Sequence, residues 1–121
     1  MTKKKILVCD DEKGVRESVR LILHDIYDSI YASNGEEVLH SLKKNKADLL
    51  IMDIKMPRMG GMETLPRIRR LRPKLPILIM TGYESRDVAS EAINRGASDY
   101  LTKPFQRERI LAKVKALLEK K

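Results

Sequence analysis

The chain has one cysteine, no tryptophan, one phenylalanine and two histidines among its 121 residues. A single thiol, Cys9, cannot close an internal disulfide, which agrees with a reducing compartment. With aromatics at 4% of the chain, nothing aromatic interleaves with the basic residues as single-stranded nucleic acid would require for base stacking. No apolar run approaches the ~18 residues that a membrane-crossing helix needs. The start, MTKKKILVCDDE, is basic, but its apolar run is four residues long before two aspartates arrive. That is too short for a signal-peptide core, and the expectation is a cytoplasmic protein with no membrane attachment. Nor is there a GxxxxGKS/T loop to cradle a nucleoside triphosphate.

What is present suits one globular domain spanning residues 1–121, with 42% hydrophobic and 35% charged residues. The formal net charge is +8, from runs at residues 3–5, 43–46 (KKNK), 67–74 (RIRRLRPK) and 113–121 (KVKALLEKK). Because these runs fall on several elements, they read first as a solvated surface. A basic surface that draws nucleic acid or an acidic protein face is the alternative.

Short apolar runs alternate with amphipathic stretches throughout. The runs cover residues 6–9, 30–32, 49–52, 77–80 and 100–101, and three of them are continuous, as in strands buried on both faces of a parallel sheet. Between them the spacing is helical: Val15, Val19, Ile22 and Leu23, then Val38/Leu39/Leu42, Met62/Leu65/Ile68, Val88/Ala89/Ala92/Ile93, and Ile110, Val114, Leu117 and Leu118. Asn34-Gly35 opens the second helix, Ser85 is placed to cap the fourth, and Arg95-Gly96 closes it. Pro66 falls about one turn into the third helix, which should therefore start late, bend, or use the proline in its first turn. The sum is (βα)₅, an α/β fold with a doubly wound five-stranded parallel sheet. The fifth helix reaches the end of the sequence, so no attached output domain is expected.

The chemistry lies at the carboxyl end of four of the five apolar runs. The first ends in Asp10-Asp11, the third in Asp53, the fourth in Thr81 and the fifth in Lys103. In open α/β sheets the carboxyl edge of the strands carries the ligand crevice, at the point where strand order reverses. A 2-1-3-4-5 order makes the first and third strands neighbours there, so Asp10, Asp11 and Asp53 converge. Three close carboxylates repel unless a cation joins them. With no His or Cys beside them the site is hard and all-oxygen, which suits Mg²⁺, with Mn²⁺ as a substitute, rather than zinc or copper. Carboxylate nucleophile, divalent metal, lysine and hydroxyl together make a phosphoryl-transfer site. Gly82 beside Thr81 leaves space for the group to enter.

Four segments, ILVCDDE, DLLIMDIKMPRMGG, PILIMTGYES and GASDYLTKPF, stand in an order and spacing that resembles the response-regulator receiver domain of two-component signalling, the CheY-like superfamily, in its stand-alone form. The resemblance covers essentially the whole chain and implies a flavodoxin-like fold. It further implies that Asp53 is the phosphoacceptor, that Asp11 binds the metal directly and Asp10 largely through water, and that the Lys55 carbonyl is a further ligand. Thr81 and Tyr100 would be the switch pair, and Lys103 would contact the phosphoryl oxygens from a cis peptide bond to Pro104. Lys55 and Tyr83 occupy positions that tune the phosphoryl lifetime in this family, where they would either hinder the attacking water or hold it. Gly60 stands where the family usually has an aspartate, which suggests a more flexible loop after the third strand.

The implied partners are a sensor histidine kinase or a histidine phosphotransfer domain as donor, and a downstream protein reading the face of helix four, strand five and helix five. The chain is expected as a monomer or a weak phosphorylation-dependent dimer. It would not be an enzyme, since it would catalyse only its own phosphorylation and dephosphorylation. Two alternatives stand beside this: a receiver that binds nucleic acid directly through its basic surface, and a phosphatase working through an aspartyl phosphate. Cys9 is expected to be a core residue, and His24 and His40 to be helical residues outside any cluster.

Overall fold

The computed structural model describes residues 3–56, 59–82 and 86–119. The expected roles of Ser85 as a cap and of Tyr83 beside the site lie outside the described residues. Ten elements alternate: β1 (Lys5–Cys9), α1 (Lys13–Leu23), β2 (Asp28–Ala32), α2 (Gly35–Lys44), β3 (Leu49–Asp53), α3 (Gly61–Leu71), β4 (Ile77–Thr81), α4 (Arg86–Asn94), β5 (Asp99–Thr102) and α5 (Arg107–Glu119). All pairings are parallel and the order is β2-β1-β3-β4-β5, as expected for a doubly wound sheet.

Each of the continuous apolar runs feeds both faces of the sheet. Leu7, Cys9, Leu50, Met52, Ile77 and Ile79 pack with Val38, Leu42, Leu65, Ile68 and Ala92 under α2, α3 and α4. The alternate residues Ile6, Val8, Leu49, Ile51, Leu78 and Met80 pack with Val19, Leu23, Ile110, Val114 and Leu117 under α1 and α5. This period of two is why the runs are apolar without interruption. The outer strands β2 and β5 depart from that pattern, with a single buried residue each, Ala32 and Leu101.

Helix ends follow the local chemistry. Asn34 caps α2 by accepting from the Glu37 N–H at 3.0 Å. The Glu37 carboxylate in turn accepts from the Ser33 N–H and hydroxyl at 2.8 and 3.0 Å. Beyond α4, the Ala97 N–H reaches Ala92 O at 2.9 Å and the Gly96 N–H reaches Ile93 O at 3.1 Å, the paired bonds of a Schellman closure. Gly96 has φ +124°, and a Cβ there would lie 2.5 Å from Arg69 Cγ. His24 differs slightly from expectation: it is the residue capping α1, just past the helix, with Nδ1 3.3 Å from the Asp25 carboxylate.

The third helix neither starts late nor holds Pro66 in its first turn. It starts at Gly61, and the proline is its sixth residue. Proline has no N–H for the carbonyl four residues back, that of Met62. That carbonyl instead accepts from the Arg95 guanidinium at 3.3 Å. Long-range capping of this kind leaves no trace in the local sequence.

Gly96→Ala should cost about 1–2 kcal/mol, through the backbone conformation and the clash with Arg69. Thermal melting should show a midpoint lower by about 5 °C.

Candidate functional site

The register of the sheet assembles the site. Cys9 is level with Met52 in β3, so Asp10, one residue on, lies beside Asp53. Asp53 is level with Met80, and Thr81 is level with Thr102, so Lys103 follows one step beyond β5. Asp10, Asp53 and Lys103 all continue the parity of the residues that face α1 and α5. Thr81 has the opposite parity. The chain is held at these points by Asp10 N–H to Ala32 O at 3.1 Å and Lys103 N–H to Thr81 O at 2.7 Å.

The Lys103 ammonium crosses from β5, past β4, to two carboxylates at once. It donates to Asp10 Oδ2 at 3.0 Å and to Asp53 Oδ2 at 3.2 Å. Asp10, Asp53 and Thr81 are buried, at 0%, 7% and 3% relative exposure, whereas Asp11 and Lys55 are exposed. Asp11, Glu12, Asp53, Ile54, Lys55, Thr81, Gly82, Val88 and Lys103 line one cavity of about 360 Å³. The Lys103-Pro104 bond is cis, as the resemblance implied.

Burial pushes the Asp53 carboxyl up. The Lys103 charge pulls it back, the Asp10 charge raises it again, and hydrogen bonds from Lys103 and the Lys55 N–H lower it. The net effect is a pKa raised above the ordinary value for an aspartate. For Lys103, burial alone would lower the pKa. The hydrogen bonds to Asp10 and Asp53 and their charges outweigh it and raise the ammonium above its usual value. Lys103 is therefore a fixed cation across the neutral range.

A metal would find oxygen donors here. Carboxylate oxygens of Asp10, Asp11 and Glu12 lie within 4.8 Å of one another. Asp53 opens onto the same cavity as Asp11 and Glu12. With no imidazole and no ionised thiol among them, the set fits a hard divalent cation. Burial holds the Cys9 thiol protonated by raising its pKa far above normal. It sits in the core, with Sγ 3.1 Å from Met56 Sδ.

Three further residues contribute to the site beyond those expected from the sequence. Glu12 completes the oxygen cluster, and its N–H also donates to Asp10 Oδ1 at 2.9 Å. Arg16 donates to the Asp10 carbonyl at 2.6 Å and so fixes the turn that carries both aspartates. Glu12 is at least visible as the third acid of a run. Arg16 gives no signal, because its contact depends on how α1 leaves the loop. Gly61 is the third: its N–H bonds Ile54 O at 2.9 Å, and a Cβ there would press within 2.7 Å of the Asp53 carbonyl. Tyr100 stands apart from the cavity, on β5, with its side chain exposed at 38%.

With this geometry established, comparison with known proteins identifies the class. A family model described as the response regulator receiver domain matches residues 6–115. The chain therefore belongs to the response regulator receiver domain family of two-component signalling. It is 38% identical over 117 residues to the response regulator MprA of Mycobacterium leprae, covering 96% of this chain and 51% of that protein. The chain thus spans about half the length of the curated relatives it matches. Among solved structures it is similar to a two-component response regulator from Clostridium difficile, with TM-score 0.92, 31% identity and 98% of each chain covered. The chemotaxis response regulator CheY4 of Vibrio cholerae gives TM-score 0.89 and 32% identity, covering 96% of this chain and 99% of that one.

The folded pKa of Asp53 lies above its unfolded value. Its contribution to stability is therefore complete below the unfolded pKa and is lost as pH rises through the folded pKa. Asp53→Asn should raise the melting midpoint at pH 7, and the gain should shrink as pH falls into the range where the carboxyl is protonated in both states. Lys103→Ala removes the cation that two buried carboxylates share and should cost about 3 kcal/mol. Combining it with Asp53→Asn should recover part of that loss in the same melts.

Proposed function

We propose that Asp53 accepts a phosphoryl group from a phosphohistidine donor, with Mg²⁺ held by the acidic cluster, and that the change alters what the surface binds. The observation that carries this reading is the Lys103 ammonium shared by Asp10 and Asp53 at the cavity wall. A carboxylate beside a fixed cation, a hydroxyl and an oxygen-only cation cluster has the parts that phosphoryl transfer requires.

In the step itself an Asp53 carboxylate oxygen forms a bond to phosphorus while the phosphorus–nitrogen bond to the donor imidazole breaks. The electron pair leaves with that nitrogen, which takes up a proton. Lys103, already within 3.2 Å of Asp53, neutralises charge on the incoming oxygens. Thr81 is buried at the end of β4 and offers a hydroxyl donor to the same group. Asp10 and Asp11 would hold Mg²⁺ with Asp53 and the Lys55 carbonyl. When bound, the metal supplies charge neutralisation to the phosphoryl oxygens; Mn²⁺ would serve in its place.

Phosphorylation adds about −1.5 to −2 charge beside Lys103 and Thr81. Movement of Thr81 toward that charge would free space behind it for the Tyr100 ring, which starts exposed. The face carrying Tyr100, Ile93 and α5 would then select a downstream protein. Lys55 and Tyr83 would set how long the phosphoryl group survives. On this reading the chain turns over no separate substrate. It works in the cytoplasm, with a sensor kinase or histidine phosphotransfer domain as donor, as a monomer or a weak dimer on phosphorylation.

Incubation with acetyl phosphate and Mg²⁺ should add one phosphoryl mass per chain, as an acid-stable and base-labile adduct. The adduct should vanish in Asp53→Asn and without divalent metal. Labelling that persists in Asp53→Asn sinks the assignment. Rapid turnover of a generic phosphomonoester would favour the phosphatase alternative instead.

A further inference from the structure

Of the 25 lysines and arginines, several are committed to other groups of the chain. Arg69 donates to Gly96 O at 2.8 Å, Arg72 O at 3.2 Å and Pro73 O at 3.3 Å, so it braces the end of α3. Arg72 reaches back to the carbonyls of Leu71 and Leu42. Arg95 divides itself between Glu91 and Met62 O. Arg20, Lys103 and Lys113 are paired with acids.

Among the cations outside this pattern, three share one place. A groove of about 490 Å³ between α2 and α3 is lined by Leu39, Lys43, Arg67, Arg70 and Leu71. Lys43, Arg67 and Arg70 are exposed, and none is in an ion pair among the described residues. The spacing on both helices brings them together. Leu39 and Lys43 are one turn apart on α2, as are Arg67, Arg70 and Leu71 on α3. Each helix thus turns one leucine and at least one cation into the same concavity. Both leucines are half-buried against the core, so the floor is apolar and the rim is basic.

We propose that this groove docks an acidic polypeptide segment of a partner protein, one whose carboxylates flank an aliphatic side chain. Charge complementarity selects the carboxylates, and the Leu39–Leu71 floor takes the aliphatic group. Nucleic acid fits less well. A phosphate backbone has no use for an apolar floor, no aromatic side chain lines the groove, and Arg69, central to the basic run, is occupied with main-chain carbonyls. The helix macrodipole accounts for cations in the last turns of α2 and α3. It does not account for Arg67, which lies before the last turn of α3, or for the two leucines.

The cationic end of the groove lies toward the ends of α2 and α3, which lead into the amino ends of β3 and β4. Asp53 is at the carboxyl end of β3. Docking in the groove therefore does not rest on the phosphoryl-transfer reading.

The test uses fluorescence anisotropy at low salt with three probes: a short labelled peptide of glutamates with leucine at every fourth position, the same peptide with serine for leucine, and a labelled DNA duplex. Binding of the glutamate–leucine peptide is expected, weakened about ten-fold by Arg67→Glu/Arg70→Glu. The serine peptide should bind about five-fold more weakly than the leucine one. Amide chemical-shift changes should map to α2 and α3. Arg67→Gln/Arg70→Gln should weaken binding in the same direction, which covers any loss of folding in the charge-reversed chain. Acetyl phosphate labelling of Asp53 should be unaffected by either variant. Unchanged affinity in both double variants, shifts that map elsewhere, or tighter binding of DNA than of the peptide would each overturn the proposal.

Discussion

The structure depends on one cation reaching two buried carboxylates. Asp10 and Asp53 end neighbouring strands, and close burial of two negative groups is unfavourable unless something neutralises them. Lys103 does so from β5, with the whole of β4 between it and β3. On β4 the position that continues that face beyond Met80 is Gly82, which has no side chain to stand in the path. The reach also requires the strands to be in register, because a slip of one residue would turn Asp53 or Lys103 to the other face. The polar cluster therefore specifies the alignment of a sheet whose apolar interior would tolerate more than one.

Much of this is legible in the sequence because it is written locally. Uninterrupted apolar runs, a polar residue at the end of each, and an Asn-Gly or Arg-Gly at helix ends are short-range signals, and each has its expected counterpart in the fold. The outer strands are least visible: β2 buries only Ala32 and β5 only Leu101, and neither has a long continuous run to advertise it. The role of the arginines cannot be read at all. Arg16, Arg69, Arg72 and Arg95 all donate to main-chain carbonyls, several of them far away in sequence, and composition registers them only as charge. Glu12 sits in plain view beside two aspartates, but only the folded loop brings its oxygens to theirs.

Membership of the receiver family places this chain among proteins whose curated relatives are about twice its matched length. The acidic site and the basic groove divide naturally between the two ends of the sheet. The carboxyl edge carries the acid cluster and Lys103, while the basic rim lies along the later turns of α2 and α3. The Gly61 N–H ties the start of α3 to the carbonyl of Ile54, the residue after Asp53.

The proline in α3 has a wider effect than its missing hydrogen bond. Arg95, at the end of α4, fills the gap at Met62, and Arg69 of α3 answers by holding the carbonyl of Gly96 beyond α4. Each helix thus depends on a side chain lent by the other. Fraying at either place therefore takes a donor away from a main-chain carbonyl at the other. A proline that would weaken an isolated helix here makes a pair of helices interdependent.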